Sequence, residues 1–477
     1  MNSIWSETCQ IPRRDSLPGD LVCDAAVIGA GMAGILIAAA LQQAGCRTVV
    51  LEADRIGGGQ TRNTTAKITS QHGLIYQNLI STFGRERAGH YAQANEAAVR
   101  TYRRLVQEQG ISCGWEERSA YLYGSNAEQL RSEAQAAASL GLPARFTTRF
   151  SLPFPAAGAV EFQHQAQFHP LKFLKAISDK LTVFEDTPVL AVKGHTVLTR
   201  RGRVRAEHIV FACHFPFVNV PGLYFARMHQ ERSYVLALRG ASVSEGMFLG
   251  ADPGGVSLRS CGGVLLLGGE GHRTGENPQG GCYDRLRRKA RVWFPGCQEA
   301  ACWSAQDCMT ADGVPYIGRY AAGRPYWYVA TGFQKWGMTS SMVAALLLRD
   351  LICSSAPAWA DVFDPGRLSP KAAAGILAES GHAAKGLAKC LFQIPGQPAS
   401  DIPAGQGGIA FWGGKKSGVY RDREGAPHPV KARCPHLGCQ LEWNPEERSW
   451  DCPCHGSRFD CRGRRVSGPA QEDIAHG

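Results

Sequence analysis

The chain has 477 residues, which at roughly 150 per domain is enough for about three folding units and a large core. Hydrophobic residues make up 44% and charged residues only 19%, which excludes a disordered chain; 55 glycines and 26 prolines follow no period of three, which excludes a collagen-like one. The net charge of +11 is scattered, with denser runs at Arg200–Arg205 and Arg285–Arg291, and reads as a solvated surface or a docking patch for an anionic partner, not a nucleic-acid site.

No stretch offers about 20 uninterrupted apolar residues for a membrane span. Ala25–Leu41 is broken by Gly29, Gly31 and Gly34, and Ala344–Ile352 contains Arg349 and Asp350. Met1–Asp20 has no apolar core of the kind a signal peptide carries, so the Arg13-Arg14 pair does not read as an export signal, and the expected compartment is the cytosol. Of 17 cysteines, the first twelve are irregularly spaced and suggest no disulfide scaffold.

In chain order, Asp24-Ala-Ala-Val-Ile-Gly29-Ala-Gly31-Met-Ala-Gly34, followed by the apolar run Ile35–Leu41 and then Gly45, predicts strand, tight turn, helix and helix stop. A second strand, Thr48–Leu51, ends at Glu52, 18 residues after Gly34. That context gives the glycine motif its meaning: backbone approaches a pyrophosphate at a helix N-terminus, and the acid takes the ribose hydroxyls. Past the acid, Arg55 to Lys67 stays rich in glycine and hydroxyls, through Gly57, Gly58, Gly59, Thr61, Thr64 and Thr65, which favours FAD over NAD. Far downstream, Thr310-Ala-Asp312-Gly313-Val-Pro315-Tyr-Ile-Gly318 precedes the strand Tyr326–Ala330. Then Thr331-Gly332-Phe333-Gln-Lys-Trp-Gly337-Met338-Thr339 opens another helix. This second glycine turn suits the electron-rich edge of a flavin.

On these motifs, the first 350 or so residues resemble the D-amino-acid-oxidase-like FAD oxidoreductase superfamily, whose members oxidise amines and amino acids. The resemblance implies an oxidoreductase domain over 20–355. Within it, an α/β, Rossmann-like FAD-binding domain is assembled from about 20–80, 155–220 and 305–355, and an α+β substrate cap from about 81–154 and 221–304. It also implies cofactor contacts from Ala53, Thr64, Thr65, Val189, Ala212 and Asp312, and sets Lys67 beside the flavin ring. There Lys67 would activate oxygen or anchor a substrate carboxylate; a structural lysine is the other reading. Cys308 lies close to where some sarcosine-oxidising relatives attach flavin covalently, but the spacing does not coincide. His72 either faces the substrate or is a loop histidine with ordinary hydrogen bonds.

Pro357, Pro365, Pro370, Pro395, Pro398 and Pro403 surround Lys371–Lys389, so 356–400 reads as a linker with a short helix. From 401 to 477, short apolar runs punctuated by glycine predict a small all-β unit. It carries Cys434-Pro-His436-Leu-Gly-Cys439 and, twelve residues on, Cys452-Pro-Cys454-His455-Gly-Ser457, then Gly468-Pro469-Ala470. Spacing alone leaves tetrahedral zinc open. The boxes resemble those of Rieske proteins, in which two cysteines hold one iron of a 2Fe-2S cluster and two histidines hold the other. That resemblance implies Cys434, Cys452, His436 and His455 as ligands, and Cys439 with Cys454 as a disulfide tying the loops together. The extra cysteine pair aligns the boxes with the cytochrome-complex type. Ser457 keeps the hydroxyl of that type, whereas Phe459 stands where a tyrosine hydroxyl would bond a cysteine ligand, which implies a lower potential. Cys461 reads as a bystander.

Glu161, His164 and His169 fit the spacing of mononuclear iron ligands in Rieske oxygenases, but those enzymes place the Rieske domain first, and Pro170 follows His169 directly. Chance spacing is the simpler account. A flavin joined to a Rieske cluster converts two-electron into one-electron transfer. The expectation is therefore a dehydrogenase acting on a small amine or amino-acid-like molecule and serving an external one-electron acceptor, a protein or a quinone. A reductase module or a redox sensor without a small-molecule substrate are the alternatives. The reductase is weakened because no second dinucleotide fingerprint is visible.

Overall fold

The computed structural model describes every residue except 1, 244–245, 368–369, 393–394, 396–397 and 476–477. Two large sheets organise the first 350 residues. The first has eight strands and is parallel at its centre, where Leu21–Ile28 lies between Thr48–Leu51 and Arg203–Phe211. Thr182–Phe184 extends one side and Trp327–Thr331 the other, with Tyr316–Arg319 antiparallel at the edge. Ala25, Ala26, Val27 and Ile28 are all buried, as a parallel strand covered on both faces requires. The helices Met32–Gln43 and Gly337–Cys353 pack against each other in the main core.

The second sheet has nine strands, running from Gln298–Thr310 through Met228–Arg239, Val264–Arg273, Ser257–Cys261, Met247–Gly250, Glu116–Gly124 and Gly158–Gln167 to Lys67–Ile68, with Ala144–Thr147 off the path. Gly158–Gln167 thus pairs in this sheet, although the sequence reading puts residues from about 155 onward in the cofactor domain. The long helix Tyr76–Glu108 breaks at Gly84, whose φ of 81° is left-handed.

Toward the C-terminus, the helix Pro370–Phe392 spans 23 residues, longer than the short helix expected in the linker; alanine recurs along its whole length, and Gly386 lets it lie against the following domain. That domain is all-β, as expected, with two antiparallel sheets. One joins Gly407–Trp412, Lys415–Arg421 and Pro427–Lys431; the other joins Glu442–Asn444, Ser449–Asp451, Arg458–Asp460 and Arg465–Ser467. Trp450, Phe459 and Leu441 fill its core. Among the described residues no helix is long and apolar enough to cross a membrane.

Candidate functional site

A cavity of about 880 Å³ is lined from both large sheets. At one end the strand Leu21–Ile28 turns into the helix Met32–Gln43. Gly29 has φ of 106°, and a Cβ there would lie 2.7 Å from the carbonyl oxygen of Ala212; a Cβ on Gly34 would lie 1.8 Å from the carbonyl oxygen of Gly29. Both positions therefore require glycine. Gly31 caps the helix with no side chain, so its first turn offers bare N–H groups to an anion, while Thr61 Oγ1 accepts from Met32 N at 2.9 Å. Behind the turn, Glu52 accepts from the N–H groups of Ala30 (2.7 Å) and Asp54 (2.9 Å), and burial pushes its carboxyl up. Gly29, Gly31, Glu52, Ala53, Val189 and Ala212 all line this end. The turn, the uncapped helix and the acid behind it fit the pyrophosphate and ribose of a dinucleotide.

Farther along lie Thr64, Thr65, Lys67, Gly332, Phe333, Gly337 and Met338. Gly337 opens the helix Gly337–Cys353, again without a side-chain cap, so two helix N-termini face one cavity. Lys67 Nζ donates to the carbonyl of Phe248 (2.7 Å) and to Ser257 Oγ (2.6 Å), with no carboxylate among these partners. Burial, helped by the charge of Arg259, lowers its pKa to about 7. Lys335 bridges Glu231 (3.0 Å) and Asp307 (3.7 Å), carboxylates that outweigh the burial penalty and raise the lysine's pKa. All three line the cavity, and none was identified from sequence; Lys335 stood unassigned inside the Gly332–Gly337 turn.

In the C-terminal domain, Cys434, Cys452 and His455 are buried and His436 is half-buried. The imidazoles of His436 and His455 stand 5.0 Å apart at 90°, and the buried Nδ1 atom of each has no hydrogen-bond partner among the described residues. Burial lowers both pKa values, to about 4 and about 3, so both rings are neutral at pH 7. Cys434 and Cys452 hydrogen-bond each other, which eases loss of the Cys434 proton, and Ser457 bonds Cys434 as well. Two orphaned ring nitrogens and two thiols facing each other fit a 2Fe-2S cluster. Cys439 and Cys454 are joined by a disulfide. Their sulfurs also lie within 4.8 Å of Cys452, but a disulfide offers no thiolate to a metal.

The cavity and these loops share a wall. Along Met228–Arg239 and Gln298–Thr310, alternate side chains point to opposite faces. Glu231, Ser233, Ala305 and Asp307 line the cavity. From the other face, Gln230 Nε2 donates to the carbonyl of His455 (2.6 Å) and Gln306 Nε2 donates to the carbonyl of Gly456 (2.8 Å). Gln306 also donates to Gln230, and its backbone N–H donates to Oε1 of Gln60 (2.8 Å), a cavity residue. Arg232, 1% exposed, pairs with Glu447 and Ser304, and Arg458 pairs with Glu447 and with Asp451 (3.0 Å). These charges outweigh burial and hold Glu447 at about 2. A second clamp joins Arg273 to both carboxylate oxygens of Glu379 (3.1 and 2.5 Å) and to the carbonyl of Pro453 (3.0 Å). His436 Nε2 meets Asn219 Oδ1 at 2.9 Å, and Arg465, Ser467 and Gln471 reach the cavity rim.

Other residues singled out from sequence stand elsewhere. In place of the expected cofactor contact, Asp312 is buried in a two-pronged pair with Arg367 (2.9 and 2.8 Å) and does not line the cavity. Thr339 spends its hydroxyl on the backbone of Thr69 (2.9 and 3.0 Å), and Gly34 serves helix–strand packing. His72 is the hydrogen-bonded alternative: it bonds Tyr91 (2.6 Å) and the carbonyl of Thr69 (2.7 Å) and stacks on Trp336. Cys308 is buried, its sulfur directed at the carbonyl of His214 (3.4 Å). Glu161, His164 and His169 do not converge: Glu161 pairs with Arg145 (2.7 Å), His169 bonds Thr8 (2.9 Å) and His164 is exposed. Cys461 is half-buried, and its carbonyl accepts from the Trp450 indole (3.4 Å).

Residues 24–351 match the family described as FAD dependent oxidoreductase, and residues 394–476 match the Rieske [2Fe-2S] domain. The chain is 36% identical to YhfW of Bacillus subtilis (strain 168), whose name describes a Rieske 2Fe-2S iron-sulfur protein, over 98% of this chain and 95% of that one. Among solved structures it is similar to glycine oxidase from Geobacillus kaustophilus, with a TM-score of 0.62, 19% identity, and 73% of this chain and 99% of that one covered. L-proline dehydrogenase from P. horikoshii gives a TM-score of 0.62 at 17% identity, covering 73% and 98%. At these identities the two structures establish the fold.

Proposed function

The chain belongs to the FAD dependent oxidoreductase family and carries a Rieske [2Fe-2S] domain, and from that premise we propose that it is a dehydrogenase of small amines or amino-acid-like molecules that delivers electrons singly to an external acceptor, a protein or a quinone. FAD takes up two electrons as a hydride, and a 2Fe-2S cluster passes them one at a time. The observation that carries this reading is the shared wall: Gln230 and Gln306 hold the loop of His455 and Gly456 on one face of the sheet whose other face lines the cavity.

In this reading the turn Gly29–Gly34 and Glu52 would hold the pyrophosphate and ribose, and the N-terminus of Gly337–Cys353 would receive the flavin's electron-rich edge. Lys67 anchors the donor's anionic group. Support for that role comes from its position in the cavity, where its hydrogen bonds among the described residues go to neutral oxygens. Cys434 with Cys452 would hold one iron of the cluster, and His436 with His455 the other. The Arg232–Glu447–Arg458 and Arg273–Glu379 clamps keep the cluster loops seated, so the distance electrons cross is fixed. Its many free thiols support the cytosol as its compartment.

The test is anaerobic mixing of the purified holoprotein with a panel of amines and amino acids, following flavin absorbance and the cluster's EPR signal. One donor class is expected to bleach the flavin and then produce the reduced-cluster signal. Failure of every amine and amino acid to bleach the flavin would overturn the donor assignment.

A further inference from the structure

We propose that Cys46 and Cys353 form a reversible disulfide that fastens together the two helices whose N-termini face the cofactor cavity. The two residues are 307 positions apart in the chain, yet their sulfurs stand 3.4 Å from each other. Cys46 follows Gly45, whose left-handed φ of 94° turns the chain at the end of the helix Met32–Gln43, and Cys353 is the last residue of Gly337–Cys353. The helices pack along their apolar faces, through residues such as Ile35 and Ala38 on one and Ala344 and Leu348 on the other. Their opposite ends, Gly31–Met32 and Gly337–Met338, line the cavity. A bond between the sulfurs would tie the ends of the pair remote from the cofactor. The sulfurs have to close from 3.4 Å to a bond of about 2.05 Å, and both belong to residues at the ends of the helices.

The two thiols differ in access, which sets the order of events. Cys353 is exposed and Cys46 half-buried. Burial and the neighbouring Cys353 push the Cys46 thiol up to about 11, and Asp24 and Glu207 add to this, so Cys46 is the poorer first nucleophile. With a small disulfide RSSR as oxidant, the Cys353 thiolate attacks one sulfur, forming Cys353–S–S–R and releasing RS⁻, which takes up the proton Cys353 lost. Cys46 then attacks the Cys353 sulfur, its proton passes to the second departing RS⁻, and the products are the Cys46–Cys353 disulfide and two RSH. Both cysteines are oxidised, and RSSR is reduced. Excess RSH reverses the sequence.

The experiment treats the FAD-loaded holoprotein with oxidised glutathione, blocks remaining thiols by alkylation and maps the cysteines by mass spectrometry. The expected result is a peptide pair linked through Cys46 and Cys353, loss of both from the alkylated set, and return of both after reductant. Cys46→Ser is expected to leave Cys353 trapped as the glutathione mixed disulfide, and Cys353→Ser to leave Cys46 free for alkylation after denaturation. In the wild type, oxidation should slow FAD release at least severalfold, and neither variant should show that slowing. Recovery of both cysteines as alkylated, or as separate glutathione adducts with no linked peptide, would overturn the proposal. So would linkage of either one to a different cysteine.

Discussion

Replacing Glu447 by glutamine removes one charge from the seam that seats the cluster domain. Its carboxylate holds two guanidiniums, those of Arg232 and Arg458, which are 1% and 10% exposed. Held at about 2 against an ordinary 4.5, the charged form is favoured by about 3 kcal/mol, at about 1.4 kcal/mol per pH unit. Removing one partner of a buried pair costs a similar 3–5 kcal/mol or so, because the charge left behind is uncompensated. A depressed carboxylate pKa contributes stability that is complete above 4.5 and is lost as pH falls toward 2, so the full effect is present at neutral pH. Charged to the seam alone, about 3 kcal/mol weakens seating by roughly 150-fold. The assay is limited proteolysis of the connecting segment 356–400 at pH 7, together with stopped-flow measurement of cluster reduction after flavin reduction. Glu447→Gln should be cut much faster than wild type and should slow electron arrival at the cluster, with flavin reduction by the donor and the cluster's EPR g-values unchanged. Wild-type cleavage and wild-type electron arrival would refute the view that this network fixes the domain.

Gly34→Ala would place a Cβ 1.8 Å from the Gly29 carbonyl oxygen, so the variant should purify with little or no FAD and a lowered melting temperature, read by flavin absorbance and calorimetry. Because Lys67 titrates near 7, KM for an anionic donor should rise as pH climbs through that value and the cation is lost. Lys67→Met should raise KM roughly 10- to 100-fold at pH 6, in keeping with loss of a hydrogen bond to a charged group, and should flatten the pH profile; steady-state kinetics from pH 6 to 9 checks both. Replacing Cys439 and Cys454 together by serine unties the loops that carry Cys434, His436, Cys452 and His455, so iron content should fall while FAD content stays at the wild-type ratio.

What could be read in advance divides along a physical line. Gly29, Gly31, Gly34 and Glu52 declare themselves because a tight turn, a bare helix end and an acid at the next strand's end are local demands, met within a few tens of residues. The cysteine–histidine boxes declare themselves for the same reason: a cluster needs its ligands on two short loops. Asp312 shows the limit. It sits in a motif beside the second glycine turn, yet its carboxylate is consumed by Arg367, 55 residues downstream, a pairing no local pattern announces. The shared wall was equally hidden. Period-two alternation tells that Gln230 and Glu231 face opposite ways, but not that one meets a cavity and the other the His455 loop 225 residues away. The seam of Arg232, Ser304, Glu447 and Arg458 likewise joins remote segments by packing. Arg232 and Arg259 carry no mark of this in the sequence, because their burial is visible only once the chain is folded.

In the proposed function, electrons taken from a donor in the cavity leave through the cluster. An anaerobic spectroelectrochemical titration of the holoprotein, recording flavin absorbance and the cluster's EPR signal against potential, tests it most directly. A cluster potential above that of the flavin is the predicted result and makes the transfer downhill. A cluster well below the flavin would contradict the claim and reverse the direction of flow.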